Sequence, residues 1–135
     1  MRPGLAPGGT ATMTVTVDES MTARFDDEDV HPVYGTAALV QHLEQVSRRM
    51  LKPHLEPGEE GVGRRIEVLH EAPVAVGETV ELTATVASVT ARALVTRVSA
   101  RCKGRVVARG LFEQAVVDVA AWRRRAATPP PPAGG

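Results

Sequence analysis

The sequence predicts an α+β domain in which one long helix is wrapped by a curved antiparallel sheet. The segment 33–55, VYGTAALVQHLEQVSRRMLKPHL, is the one long stretch whose apolar residues recur at helical spacing. The apolar segments after it alternate with period two, as half-buried strands do. Several of them run to ten residues or more. Strands of that length are long for globular proteins and fit a sheet that curves around the helix.

Composition excludes several functional classes. The 135 residues fit one domain, and the 43% hydrophobic and 24% charged residues are ordinary for a soluble globular protein. The formal net charge is zero and aromatics make up 3%, so neither charge nor base stacking indicates a nucleic-acid partner. A single cysteine excludes an intrachain disulfide, and no apolar run resembles a secretion signal or a membrane span. We therefore expect a cytoplasmic protein with no membrane partner.

The chain begins with an expected disordered segment, a strand and a loop. Residues 1–9 are rich in proline and glycine and are expected to be disordered. In TATMTVTVD, apolar Met13, Val15 and Val17 alternate with polar residues, which predicts a strand. Residues 19–31 are polar and acidic, so we expect a loop or lid there, with room for one helical turn.

The central helix is expected to begin near Thr36 and to end near Leu51, because Pro53 disfavours helical geometry in the residue before it. Four residues at helical spacing form its buried stripe: Leu39, Leu43, Val46 and Met50.

Four further strands are expected over residues 64–71, 78–89, 94–102 and 105–119. In the first of them, Ile66, Val68 and His70 have the same parity, which points all three toward the helix. The folded domain thus covers residues 10–121. The remainder, residues 122–135, is expected to be a disordered tail rich in arginine and proline.

Three segments, VYGTAALVQHLE, HLEPGEEGVG and VLHEAPVAVGETVELTATV, resemble the fluoroacetyl-CoA thioesterase family, which belongs to the hot-dog-fold acyl-CoA thioesterases. The resemblance covers residues 33–117. It implies a hot-dog fold with a five-stranded sheet around the helix, and a homodimer with two interfacial active sites, with a tetramer as the alternative. It also implies hydrolysis of a small acyl-CoA, or acyl-carrier, thioester. No metal and no cofactor are expected beyond the coenzyme A of the substrate.

The resemblance assigns the catalytic roles to Thr36, Glu44 and His70, and it assigns the glycine whose backbone lines the thioester site to Gly63. All these positions hold the family's residue type. Glu44 would act as nucleophile or as base, and the sequence leaves that choice open. His70 would position or protonate the reacting groups, and Thr36 would hydrogen-bond the carboxylate or the acyl group.

The substrate-binding positions match the family less well than the catalytic positions do. The fluoroacetyl-specific member has phenylalanines that form a gate before the catalytic threonine, whereas this chain has DDEDVHPV, so Val30 or a neighbour replaces the gate. That departure questions fluoroacetyl selectivity and leaves the hydrolytic residues in place. Tyr34 and Arg64 complete the predicted substrate-binding set. Arg64 would meet phosphates of coenzyme A, although a solvated strand start is the commoner explanation for such an arginine.

Taken one at a time, the three catalytic candidates have simpler explanations. A boundary glutamate such as Glu44 usually reaches solvent, an inward His70 is usually a hydrogen-bonded core residue, and Thr36 suits a helix N-cap. Their joint occurrence at the family's spacing favours a thioester-cleaving site. A non-catalytic thioester-binding protein and an enoyl-thioester hydratase remain as alternatives, although the Asp/His pair that hydration would need is not found.

One geometric difficulty follows from helix geometry. Thr36 and Glu44 are eight residues apart, which is roughly 12 Å along a continuous helix axis. Either the helix begins after Thr36 and the chain folds back, or the site combines residues of two subunits.

Overall fold

A five-stranded antiparallel sheet packs against helix α1 (Thr36–Leu51) in the computed structural model, which describes residues 1–132. The other helix and the strands are β1 (Thr10–Thr16), β2 (Thr22–Phe25), β3 (Glu28–Tyr34), β4 (Glu59–His70), β5 (Thr79–Thr90), β6 (Ala93–Cys102), β7 (Arg105–Asp118) and α2 (Val119–Ala127). The strands of the sheet lie in the order β1-β5-β6-β7-β4, and β2 and β3 form a separate two-stranded hairpin. The predicted helix bounds and the predicted sheet are confirmed.

The core lies between α1 and the concave face of the sheet. The predicted helical stripe is buried, and Leu51 and Ser47 extend it. Ser47 is the exception in polarity, and it is satisfied: its hydroxyl donates to the Leu43 carbonyl at 3.0 Å and lies 3.0 Å from Thr96 Oγ1. The sheet supplies alternating inward residues, which include Val80, Leu82, Ala84, Val86, Leu94, Val98, Ala100 and Phe112.

Strand β4 forms one edge of the sheet and contains a bulge. Gly63 pairs with Gln114 and Arg65 pairs with Glu113, so Arg64 is an extra residue on β4. Beyond the bulge, His70 lies opposite the buried Ala108, which confirms that it faces the helix side. The strand begins at Glu59 rather than at residue 64, because the turn-rich segment still pairs with the end of β7.

Residues 22–34 form a hairpin, so the expectation of a loop over residues 19–31 is wrong for most of that segment. The two-residue turn is made by Asp26 and Asp27, whose φ angles are +50° and +62°. Aspartate tolerates that left-handed conformation, which suits a tight hairpin. Apolar alternation is absent because the residues of β3 before Val33 are exposed on both faces.

Both termini depart from the expectation of disorder. Residues 1–9 form no helix or strand, yet Met1 and Leu5 pack against the core and Gly8 N–H donates to the Val86 carbonyl at 2.9 Å. Residues 122–127 belong to α2, whose N-cap Asp118 accepts a hydrogen bond from Ala121 N–H at 2.8 Å. Residues 133–135 of the expected tail lie outside the described residues. Neither helix among the described residues is long and apolar enough to cross a membrane.

Candidate active site

Thr36 and His70 form a hydrogen-bonded pair between the start of α1 and the end of β4. Thr36 Oγ1 lies 2.8 Å from His70 Nδ1. The helix N-cap is Gly35, so the Thr36 hydroxyl does not have the capping role. A Cβ on Gly35 would lie 3.2 Å from backbone atoms of Ala23, so glycine at this position lets the helix start approach β2 closely. The fold thus joins a hydroxyl and an imidazole that are 34 residues apart in sequence.

This pair borders a cavity of about 260 Å³ between the hairpin and the end of β4. The hairpin, Gly35 and the segment 71–73 form the rest of its wall, with Ala23, His31, Val33 and Tyr34 from the hairpin. The volume is below the several hundred Å³ typical of sites for drug-sized ligands, so it suits a small group. Val30, which the sequence predicted to replace the gate, is exposed on β3 and does not line this cavity.

Glu44 and Gly63 form a second, separate pair. Glu44 lies on the solvent-facing side of α1, at the border of the buried stripe. A Cβ built on Gly63 would lie 3.7 Å from Glu44 Oε2 and 3.1 Å from two ring atoms of Phe112. Gly63 also precedes the bulge residue Arg64. Glycine therefore lets the bulged strand pass close to both the carboxylate and the ring, as bulges beside active sites often do.

The two pairs do not meet within one chain. Helix α1 is continuous from Thr36, so the alternative in which the helix begins after Thr36 is wrong. The roughly 12 Å between Thr36 and Glu44 along the helix axis therefore stands. On β4, Gly63 and His70 are separated by roughly 20 Å at about 3.3 Å per residue. Among residues 1–132, the Glu44 carboxylate makes no hydrogen bond to Thr36 or His70.

Tyr34 and His42 pack on the buried side of the Thr36–His70 pair. Tyr34 is 1% exposed, and its hydroxyl lies 2.5 Å from His42 Nδ1. Its ring meets the His70 imidazole edge-on, with centroids 6.5 Å apart and planes at 76°. Tyr34 lines the cavity, and its hydroxyl is held by His42. No sequence pattern pointed to His42 in this role, because only the fold brings residues 34 and 42 together.

Burial determines the protonation of Tyr34 and His42. It raises the pKa of Tyr34 far above its usual range, so the hydroxyl keeps its proton. It also lowers the pKa of His42 below the ordinary 6.5, and the nearby charge of Asp18 opposes that shift. Both shifts favour the neutral forms, and a protonated Tyr34 hydroxyl beside a neutral His42 can donate to Nδ1. The Nε2 atom of His70 is buried and has no hydrogen-bond partner within residues 1–132.

Arg64, predicted to bind substrate, is engaged elsewhere in the single chain. Its Nε lies 2.5 Å from Glu113 Oε2, and its side chain is 55% exposed. Most of the guanidinium can thus still reach a ligand in solvent.

The described residues contain no group of three or more histidine, cysteine, aspartate or glutamate side chains placed to hold a metal ion. A larger groove of about 730 Å³ lies on the opposite face of the sheet, lined by Leu69, Leu111, Arg97 and Arg109 among others. None of the predicted catalytic residues lines it.

Residues 17–120 match the family described as the fluoroacetyl-CoA-specific thioesterase, FlK. The chain is also 39% identical over 85 residues to the fluoroacetyl-CoA thioesterase of Streptantibioticus cattleyicolor. That alignment covers 63% of this chain and 61% of the relative's length.

Solved structures give the same result over nearly the whole chain. A Thermus thermophilus hypothetical protein described as a thioesterase superfamily member superposes with a TM-score of 0.87 at 34% identity, covering 93% of this chain and 95% of that one. The fluoroacetyl-CoA thioesterase FlK superposes with a TM-score of 0.85 at 32% identity, covering 94% and 100%. A hot-dog-like protein from Thermanaerovibrio acidaminovorans reaches 0.82 at 29% identity, covering 89% of each chain. The predicted hot-dog fold is thereby confirmed.

Proposed function

Because this chain belongs to the fluoroacetyl-CoA-specific thioesterase family, we propose that it is a thioesterase that hydrolyses a small acyl-CoA or acyl-carrier thioester to the free acid and the thiol. The observation that carries the proposal is the 2.8 Å contact between Thr36 and His70 at the rim of a small cavity. Hydroxyl and imidazole groups converge there at two of the positions that the family resemblance assigns to catalysis. The small cavity and the absence of a phenylalanine at Val30 favour a small acyl group without a strict requirement for fluorine.

We propose that the working unit is a homodimer, because each chain contains two half-sites that cannot reach one another. One edge of β4 has no partner strand among the described residues, and such an edge readily pairs with another chain. Because Arg64 is the extra residue of the bulge, Glu67 lies midway between Gly63 and His70 in the ladder. We propose that two β4 strands pair antiparallel about a two-fold axis at Glu67. That register would set Gly63 of one copy opposite the partner's His70. Ile66, at 36% exposure, would then be covered.

In this arrangement the chemistry divides among four residues. The Glu44 carboxylate either takes a proton from an attacking water or attacks the carbonyl carbon itself to form a mixed anhydride that water then hydrolyses. In both cases the C–S bond breaks, a C–O bond forms, and a proton reaches the departing thiolate; we assign His70 as its donor. The Thr36 hydroxyl holds the acyl group or the product carboxylate. The backbone N–H at Gly63 is the candidate donor to the oxyanion.

A panel of acyl-CoA substrates with free-thiol detection tests the proposal. Glu44→Ala and His70→Ala should each lower turnover by orders of magnitude while the protein stays folded, because each removes a group that acts only in the transition state. Glu81→Ala is a matched control, since Glu81 is an exposed glutamate on β5 away from the site. Near-wild-type turnover in both Glu44→Ala and His70→Ala would contradict the assignment of the catalytic residues.

The same panel separates the other functions considered for this fold. Loss of enoyl absorbance without thiol release would indicate hydration, and binding without either signal would indicate a carrier or scaffold. Rapid-quench mass spectrometry of the Glu44 peptide separates the two roles of Glu44, since an acyl adduct forms only if the carboxylate is the nucleophile. We also propose a cytoplasmic location, because the single cysteine, Cys102, is a free buried thiol and the fold relies on no disulfide.

A further inference from the structure

We propose that His42 is a positioning residue: it holds the Tyr34 hydroxyl and so fixes both members of the Thr36–His70 pair. The inference rests on the proposed thioesterase function for its catalytic consequence. Its structural part concerns the orientation of the His70 imidazole and is measurable in the free protein. Nothing in the family resemblance assigned a role to His42.

The contact with His42 is what satisfies the Tyr34 hydroxyl. Tyr34 is 1% exposed, and within residues 1–132 the contact of 2.5 Å to His42 Nδ1 is its one side-chain hydrogen bond. A buried phenol without an acceptor is destabilised and tends to shift toward water. The two rings also stack, with centroids 5.7 Å apart and planes at 23°. His42 therefore determines where the Tyr34 ring lies.

Tyr34 in turn packs against His70 and lies two residues before Thr36. Its ring edge packs against His70 with centroids 6.5 Å apart. Its backbone is anchored by a hydrogen bond from its N–H to the Val74 carbonyl at 2.8 Å. Thr36 follows two residues later as the first residue of α1. The contact between Tyr34 and His42 thus spans the first turns of the helix and joins its start to the end of β3.

The surroundings of His42 favour a hydrogen bond in which the Tyr34 hydroxyl is the donor. Asp18 is the acidic group that acts on it electrostatically, and Tyr34 is the titratable group in direct contact. Burial outweighs the effect of Asp18 and lowers the pKa of His42, which favours the neutral ring. Because the Tyr34 hydroxyl has no other side-chain partner among residues 1–132, we infer that it donates to Nδ1. The tautomer is then fixed with the proton on Nε2. A side chain of similar size without an acceptor at that atom cannot replace it.

Four variants test the inference. His42→Leu removes the acceptor, and Tyr34→Phe removes the hydroxyl while keeping nearly all of the ring's volume. The double variant tests whether both act through one contact. His42→Asn places its Oδ1 where Nδ1 stood and should restore the bond. His54→Leu is the control, because His54 contacts the Pro3 carbonyl at 3.2 Å, away from this cluster.

Two readouts apply to each variant: kcat and KM on the best acyl-CoA substrate, and the ¹⁵N resonances of the His70 imidazole in the free protein. We expect His42→Leu and Tyr34→Phe each to lower kcat by roughly tenfold with little change in KM. A displacement of the His70 imidazole by less than about 1 Å would have an effect of that size. The double variant should be no worse than either single. The His70 resonances should move in both singles and return in His42→Asn, while His54→Leu leaves them unchanged.

Specific results would overturn the inference. His70 resonances at their wild-type positions in both Tyr34→Phe and His42→Leu would show that the contact does not orient His70. Multiplicative losses in the double variant, or an inactive but folded His42→Asn, would also contradict it. If the wild-type protein hydrolyses no thioester in the panel, the proposed function fails, and the resonances alone still decide whether His42 orients His70. Should His42→Leu fail to fold, Tyr34→Phe carries the same test.

Discussion

The two half-sites differ in how far a single chain completes them. Thr36 and His70 are already bonded at 2.8 Å, border a cavity, and rest on the buried Tyr34. Glu44 is exposed, and its close neighbour is the backbone of Gly63 at a bulge on the sheet's edge strand. The first half is therefore preorganised by the monomer's own core, whereas the second remains open.

In the proposed homodimer, this difference accounts for the placement of the open half. A preorganised pair needs rigid support, and β3, α1 and the end of β4 provide it. A carboxylate that works against a group from another chain must instead be accessible before assembly. Glu44 on the solvent side of α1 and Gly63 on an unpaired edge meet that requirement. The predictions below test this division, beginning with the largest effect.

Subunit mixing gives the strongest test of the division. Glu44→Ala and His70→Ala are each expected to be nearly inactive, yet a mixed dimer contains one site with Glu44 from one chain and His70 from the other. Random exchange produces half mixed dimers, so about a quarter of wild-type activity should return. Activity is measured after denaturing and refolding equal amounts of the two variants together.

The control is the same procedure applied to each variant alone, which should recover nothing. If the mixture stays as inactive as its components while size-exclusion chromatography shows dimers, Glu44 and His70 act within one chain. The division into two half-sites would then be wrong.

Gly63→Ala should damage the open half specifically. The new Cβ would lie 3.1 Å from the Phe112 ring and 3.7 Å from Glu44 Oε2, so the strand or the ring must shift. Overpacking of this kind costs about 1–3 kcal/mol of unfolding free energy. Displacement of the oxyanion donor and the carboxylate should lower kcat by roughly tenfold. Thermal unfolding and kinetics measure the two effects.

Relief of the contact supplies the matched control for this variant. Phe112→Leu removes the ring atoms that the Cβ would meet, so Gly63→Ala should cost less unfolding free energy in the Phe112→Leu background than in the wild type. A Gly63→Ala protein with wild-type kcat and stability would mean that β4 does not need glycine at the bulge.

Sequence patterns predicted the parts of the molecule that depend on local periodicity. The bounds of α1 and the inward parity of His70 follow from spacing, and both are confirmed. The β2–β3 hairpin escaped prediction because its strands are largely exposed and therefore lack apolar alternation. Helix α2 escaped for a similar reason, since all but Val119 of its residues are exposed and no apolar stripe forms.

The candidate site divides in the same way. Thr36, Glu44, Gly63 and His70 were identified through the resemblance to a family, and spacing alone favoured simpler explanations for them. Their grouping into two pairs required coordinates, because it depends on the helix starting at Thr36 and on the bulge after Gly63. No pattern of residues revealed the partnership of Tyr34 with His42, since both the strand end and the helix must be placed first.

Acidification should weaken the preorganised half more than the open one. The pKa of His42 is lower in the folded state than its ordinary 6.5, so the unfolded chain binds more protons as the pH falls. The stabilisation is thus fully present above about pH 6.5 and is lost as the pH falls through the lower folded value. Melting temperatures from pH 8 to pH 5 should fall by a few °C more for the wild type than for His42→Asn. Parallel curves for the two proteins would contradict the neutral state of His42.

The smallest effect concerns Arg64, the predicted contact to a phosphate of coenzyme A. Its ion pair with Glu113 is solvent-exposed, so Arg64→Ala should change the unfolding free energy by less than about 1 kcal/mol. If the guanidinium also meets a phosphate of the substrate, KM for acyl-CoA should rise by roughly threefold, with kcat unchanged, and the rise should shrink at high salt. Arg65→Ala is the matched comparison, because Arg65 is also exposed on β4, at 66% against 55% for Arg64, and pairs with Glu67 at 2.7 Å. Equal KM values in the two variants would mean that Arg64 pairs with Glu113 and does not bind the substrate, so that the open half would consist of Glu44 and Gly63.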